Sequence, residues 1–186
     1  MLQTLRIPPL TACVLAAAVL TGCGSSGGGA HKPLPPPGNI KVTSSAFAQG
    51  GTIPKRYTCD GAGLSPPLAW RRLPDATRSL VLVVLDPDAP GPTFFHWVIY
   101  DFSPNQREVA AGESPRGAAA GENSAGKAGW TPPCPPKGNS PHRYVFRLFA
   151  DSKPTDLAAG AAPSDVLAAA GTHSIAQGTL TGRYGR

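Results

Sequence analysis

The chain has 186 residues, with 17 Lys and Arg against 11 Asp and Glu, a formal net charge of +6, and 22 each of Gly and Pro. Charged residues make up only 15%, which excludes a long helical bundle or coiled coil and favours strands joined by loops. The basic residues are scattered, with no run longer than Lys55-Arg56 or Arg71-Arg72, so the clustered charge that neutralises phosphates is missing and no nucleic-acid partner is expected.

The first segment carries one charge, Arg6, followed by an apolar stretch from Leu10 to Leu20. That is about half the length that spans a bilayer, and it reads as a signal peptide over residues 1–22. Leu20-Thr21-Gly22-Cys23 has the order of a bacterial lipobox. Cys23 is therefore expected to be acylated, with palmitate-type chains, at the new N-terminus. The alternative is an ordinary secretory signal with an incidental Cys23; such a signal needs small residues but not this Leu-x-Gly-Cys order. Each buried methylene is worth about 0.8 kcal/mol, so several acyl chains anchor firmly. The expected location is the cell envelope, lipid-anchored to a bacterial membrane on its extracytoplasmic side. From Gly24 to Gly38 a Gly/Ser piece followed by a Pro-rich piece reads as a tether that cannot bury a core, so residues 23–38 carry anchor and tether and residues 39–186 the domain.

Export leaves two cysteines in the domain, Cys59 and Cys134. An oxidising compartment lets them form a disulfide, worth up to about 4 to 4.5 kcal/mol by loop-closure entropy; two buried free thiols are the other possibility. Along the domain, residues 40–47 read as a weak strand. Ser79 to Leu85 (SLVLVVL) is a continuous apolar, β-branched run, as expected of a central strand covered on both faces. His96 to Phe102 and Arg143 to Ala150 are further strands, rich in aromatic and β-branched residues. Pro163 to Ala170 reads as a helix stopped by Gly171, and residues 175–180 as a weak closing strand. The expected fold is mainly β: an antiparallel β-sandwich with long loops and a short helix near the C-terminus.

Three segments stand out: Asp86-Pro87-Asp88-Ala89-Pro90, His96-Trp97, and Pro135-Pro136-Lys137-Gly138 leading to His142-Arg143-Tyr144. Pro87 holds Asp86 extended and has its own φ fixed, so Asp86 and Asp88 leave the strand in a stiff geometry. Residues i and i+2 share a strand face, so His142 and Tyr144 project together, with Phe146 and Leu148 continuing that face inward. Two imidazoles and a phenol can hold a phosphate or carboxylate, while a nearby carboxylate orients an imidazole. Singly, each residue has a plain structural reading as a turn former, a satisfied core histidine or strand packing.

Together with Pro54-x-x-Tyr57-Thr58-Cys59-Asp60-Gly61 and Ser65-Pro66-Pro67-Leu68-Ala69-Trp70, these motifs resemble the phosphatidylethanolamine-binding proteins, in particular their bacterial and archaeal branch, over Ile40 to Arg186. The resemblance implies that Asp86, His96, His142 and Tyr144 form an anion pocket bordered by Asp88 and Pro136. Trp70, Trp97 and Phe146 read as core or pocket wall, and Arg143 as the holder of a loop or carboxylate. His173 reads as a cap of the helix end or an internal hydrogen-bonding group. The stretch Gly91 to Phe95 is shorter than in animal members and lacks the tyrosine bordering their pocket, so their ligand preference is not carried across.

The expected partner is a small anionic ligand or phosphate headgroup, with no cofactor and no metal. Family members also inhibit serine proteases or modulate kinases, which makes a protease or kinase a second class of partner. A hydrolase built on the Asp/His cluster is the third reading. It has no HExxH, G-x-S-x-G or paired CxxC to support it, although two His and two Asp can in principle ligate a divalent ion; the protein is expected not to be an enzyme.

Overall fold

The structure, a computed structural model, describes residues 40–186. The expected signal peptide (1–22), acylated Cys23 and tether to Gly38 lie outside them. In chain order the elements are β1 (Lys41–Thr43), a 3-10 turn (Lys55–Tyr57), β2 (Leu68–Arg71), β3 (Ser79–Asp86), β4 (Phe94–Phe102), β5 (Glu108–Val109), β6 (Ala119–Ala120), β7 (His142–Asp151), α1 (Pro163–His173) and β8 (Ser174–Tyr184). Two antiparallel sheets result, a small one ordered β1-β2-β5 and a large one ordered β6-β4-β3-β7-β8.

Alternation along β3 explains the layers. Leu80, Leu82 and Val84 face the small sheet and join Trp70, Ile99, Phe146 and Leu148 in the inter-sheet core. Val81 and Val83 face the other way and pack with Val98, Tyr100 and Phe149 against Val166 and Ala170 of α1. A strand with apolar partners on both faces has no polar side, which is why its sequence is an unbroken apolar run. Pro163 opens α1 and Asp165 sits in its first turn, as N-terminal geometry and the helix dipole favour.

Some boundaries differ from the sequence reading. Helix α1 passes through Gly171 to His173, because Gly171 is buried in the helix without the positive φ of a cap. The His173 carbonyl accepts from the backbone N–H and hydroxyl of Ser152, which fixes the turn into β8. The first strand stops at Thr43, where the Ser44 hydroxyl donates to Pro67 O and accepts from Ala46 N–H, turning the chain. Strand β8 is longer than expected, and a Cβ on its Gly178 would lie 2.2 Å from Ile40 O, so only glycine allows that approach.

Strand β4 carries two irregularities. Leu80 pairs with Phe102 and Leu82 with Ile99, so β4 spends an extra residue near Asp101, whose φ is 58°. Asp101 takes the Ser79 hydroxyl at 3.0 Å and the Thr155 amide and hydroxyl at 2.8 and 2.7 Å. Toward the other end, Val84 pairs with Trp97 and Leu85 with Phe95, leaving His96 as the extra residue. A bulge of this kind re-aims a side chain: Phe95 packs with the helix-side core and Trp97 with the inter-sheet core, and the imidazole between them reaches Tyr144.

Asp151, next to the first irregularity, is wholly buried and neither carboxylate oxygen has a hydrogen-bond partner. Burial, reinforced by the charge of Asp101, raises its pKa from 3.8 to about 7. The unfolded chain releases this proton above 3.8 while the folded chain keeps it, so the associated stability is greatest at low pH and is lost as pH rises through about 7. Asp151→Asn is expected to stabilise the fold by about 1–3 kcal/mol at pH 8, with the gain shrinking toward pH 5, in urea denaturation.

Candidate functional site

Strand β3 ends on Asp86, only 4% exposed. Such a carboxylate needs partners, and it has them: Oδ1 accepts the Asp88 amide at 2.8 Å, and Oδ2 accepts the Nδ1–H of His142 at 2.7 Å. His142 opens β7 and is 5% exposed. Two residues on, Tyr144 is fully buried and its hydroxyl has no protein partner. Burial, then the charge of Asp86, pushes the Tyr144 phenol above its ordinary range, so it keeps its hydrogen as a donor. Phe146 and Leu148 continue this face into the inter-sheet core.

The bulged His96 is 4% exposed and pairs twice with Thr131: its Nδ1–H donates to Thr131 O at 2.8 Å, and Thr131 N–H donates to His96 O at 2.9 Å. Its ring lies 5.2 Å from Tyr144, edge-on, and 4.7 Å from Phe94. Burial pushes the His96 pKa below 6.5, outweighing the Thr131 carbonyl and Asp86, which pull it upward.

Asp86, His96, His142 and Tyr144 thus surround one cavity of about 240 Å³. Its walls are apolar: Pro90 and Phe94 on one side, Pro132, Pro135 and Pro136 on the other. Wider hollows of about 560 and 470 Å³ run beside β1, but neither gathers buried ionisable side chains.

The expected border residue Asp88 does not line this cavity. Its carboxylate turns to Arg143, taking Nη2–H at 2.6 Å, Nε–H at 2.9 Å and the backbone amide at 2.8 Å, and the Arg143 guanidinium holds its pKa down at about 2. Arg143 is an exposed residue alternating with inward His142 and Tyr144, so its guanidinium draws the Asp88 carboxylate outward. Asp88 and Arg143 tie the end of β3 to the start of β7, which keeps Asp86 and His142 in register.

The proline wall is fastened from behind. Cys134 is bonded to Cys59, with Cα atoms 5.3 Å apart. Cys59 N–H donates to Pro133 O at 3.0 Å, and Arg186 Nε–H to Pro135 O at 2.7 Å. Asp60 accepts from the Tyr184 hydroxyl at 2.5 Å and from Arg186 at 3.2 Å. The Gly/Ala-rich stretch after Asp101 contributes Asn123, which donates to Gly129 O and Thr131 Oγ1 and so holds the strap facing His96. Thr131 acts through its backbone, which no side-chain motif announces. Pro132 and Pro135 could have been found from the run Pro132-Pro133-Cys134-Pro135-Pro136, which is stiff by composition.

Comparison with known proteins gives a consistent result. Residues 43–185 match the family model described as phosphatidylethanolamine-binding protein. A UPF0098 protein of Methanothermobacter thermautotrophicus is 41% identical over 79% of this chain and 99% of its own. The candidate lipoprotein LppC of Mycobacterium tuberculosis is 33% identical over 99% of each chain. Among crystal structures, the Chlamydia trachomatis homologue CT736 superposes with a TM-score of 0.75 at 38% identity, covering 80% of this chain and 99% of that one. YbcL of E. coli, described as a member of the mammalian PEBP family, gives 0.75 at 27% identity, covering 79% and 98%.

The fastening of the wall sets a stability test. Replacing both Cys59 and Cys134 by Ser is expected to cost about 2–4 kcal/mol in guanidinium unfolding.

Proposed function

The chain belongs to the phosphatidylethanolamine-binding protein family, and we propose that it is a binding protein, lipid-anchored through Cys23 to a bacterial membrane, that grips a small phosphate-type anion in the Asp86–His96–His142–Tyr144 pocket. The observation carrying this reading is the buried Tyr144 hydroxyl without a protein partner, at a cavity that also exposes the two imidazoles. An unsatisfied buried donor costs about 1–3 kcal/mol, and an anion oxygen would satisfy it. The volume of about 240 Å³ suits a tetrahedral anion with a short substituent, given that a water occupies about 30 Å³.

Binding without turnover fits the same geometry. The His142–Asp86 pair has the form of a base with its orienting carboxylate, while of the thiol and phenol at the cavity the Cys134 sulfur is bonded to Cys59 and the Tyr144 hydroxyl keeps its hydrogen. Among the described residues, no three His, Cys, Asp or Glu side chains are grouped as metal ligands would be. The anchor rests on Leu20-Thr21-Gly22-Cys23 and on the likeness, along nearly the whole chain, to the candidate lipoprotein LppC.

Titration calorimetry with sulfate tests the pocket. Sulfate keeps its charge at every working pH, so its affinity should follow the imidazoles. Because burial lowers His96 below 6.5, binding is expected to strengthen as pH falls, by up to about tenfold per pH unit where one proton is taken up. A profile flat between pH 5 and 8 would remove the imidazoles from the contact. His142→Ala is expected to weaken anion binding by about 10- to 100-fold while circular dichroism shows the fold retained. Unchanged affinity in that variant would place the ligand elsewhere.

A further inference from the structure

The hydrogen-bond acceptors behind the two imidazoles determine what the pocket offers in front. A carbonyl oxygen can only accept, so the hydrogen of His96 is on Nδ1, directed at Thr131 O. An ionised carboxylate likewise only accepts, so His142 also carries a hydrogen on Nδ1, directed at Asp86 Oδ2. Both rings make their hydrogen bonds to the described residues through Nδ1, leaving Nε2 to the cavity side. In a neutral ring with its hydrogen on Nδ1, Nε2 is a lone pair: it accepts and cannot donate.

Building on the anion-pocket reading above, we infer that the site selects among tetrahedral anions by the proton they bring. Hydrogen phosphate, or a phosphate monoester as its monoanion, has a P–O–H hydrogen to give to the His96 Nε2 lone pair while its other oxygens accept from Tyr144. Sulfate has no such hydrogen and must first draw a proton from solvent onto His96. A phosphodiester, the linkage of a phospholipid headgroup, lacks the hydrogen too and ranks with sulfate. The preferred ligand is therefore free hydrogen phosphate, joined by phosphate monoesters near and below their second pKa of about 6, where they too carry the hydrogen.

The groups around His96 support this assignment. Asp86 from β3 and His142 and Tyr144 from β7 share the cavity with it, Thr131 closes the loop side, and Phe94 covers the ring. The single carboxylate among them, Asp86, has both oxygens engaged, by the Asp88 amide and by His142; it orients one imidazole and does not reach the other by a hydrogen bond. Asp88 and Arg143 neutralise each other outside. Burial is the largest influence on His96 and favours its uncharged form, outweighing the upward pull of the Thr131 carbonyl and Asp86.

Calorimetry at pH 7.5 with inorganic phosphate, sulfate and dimethyl phosphate decides the matter on the unmodified domain. Phosphate and sulfate are close in size and charge there, so a difference reports the hydrogen. Phosphate is expected to bind at least about tenfold more tightly than either of the others. Runs in two buffers of different ionisation enthalpy should show close to one proton taken up with sulfate and none with phosphate. Equal affinity for phosphate and sulfate, without proton uptake, overturns the selection and leaves the anion pocket standing. Failure of all three to bind overturns the pocket reading as well. In His96→Gln, whose amide can donate where Nε2 cannot, the preference should narrow to within about threefold; a preference kept in full would remove His96 as the proton acceptor.

Discussion

A carboxylate at the end of a strand buried on both faces has to be matched, and the hydrogen bond between Asp86 and His142 is the interaction on which this site depends. Leaving Asp86 charged and unpaired at 4% exposure would cost several kcal/mol. The match requires the tip of β3 and the first residue of β7 to meet in one register, and the outward Asp88–Arg143 pair holds them there. One aspartate is thus spent inward on orienting an imidazole and the other outward on orienting the chain. The intervening Pro87 makes the two directions stiff.

The rest of the pocket follows from how the large sheet is covered. With the small sheet on one side and α1 on the other, a regular β4 would alternate strictly between two apolar layers and leave no place for a histidine at the cavity. The bulge breaks that alternation at one residue, allowing Phe95 and Trp97 to keep to their separate cores while His96 faces the Thr131 strap. Polar function is inserted where periodicity fails, and the apolar layers on either side are undisturbed.

Much of this was legible in the residues and some was not. The apolar run of β3 announced two-sided burial, the i, i+2 spacing put His142 and Tyr144 on one face, and the two cysteines of the domain are bonded to each other as their count allowed. Strands β2, β5 and β6 are too short to show a period, so only pairing in space defines them. Helix α1 runs beyond Gly171 because a glycine packed inside a helix has the same letter as one that ends it. Asp88 and Asp86 are also alike by letter; what separates them is Arg143, distant in sequence and adjacent in space. The backbone of Thr131 carries no signature at all.

The bulge at His96 gives unequal weight to changes of chain length along one hairpin. Residues 90–93 are the exposed tip of the turn, beyond the Asp88–Arg143 pair, where insertions or losses over evolutionary time would be absorbed without disturbing the pairing on either side. Losing one residue between Phe94 and Trp97 would restore an ideal ladder and swing the imidazole to the opposite layer. Relatives that lengthen the turn can therefore diversify the cavity mouth, whereas those that regularise the strand give up its floor.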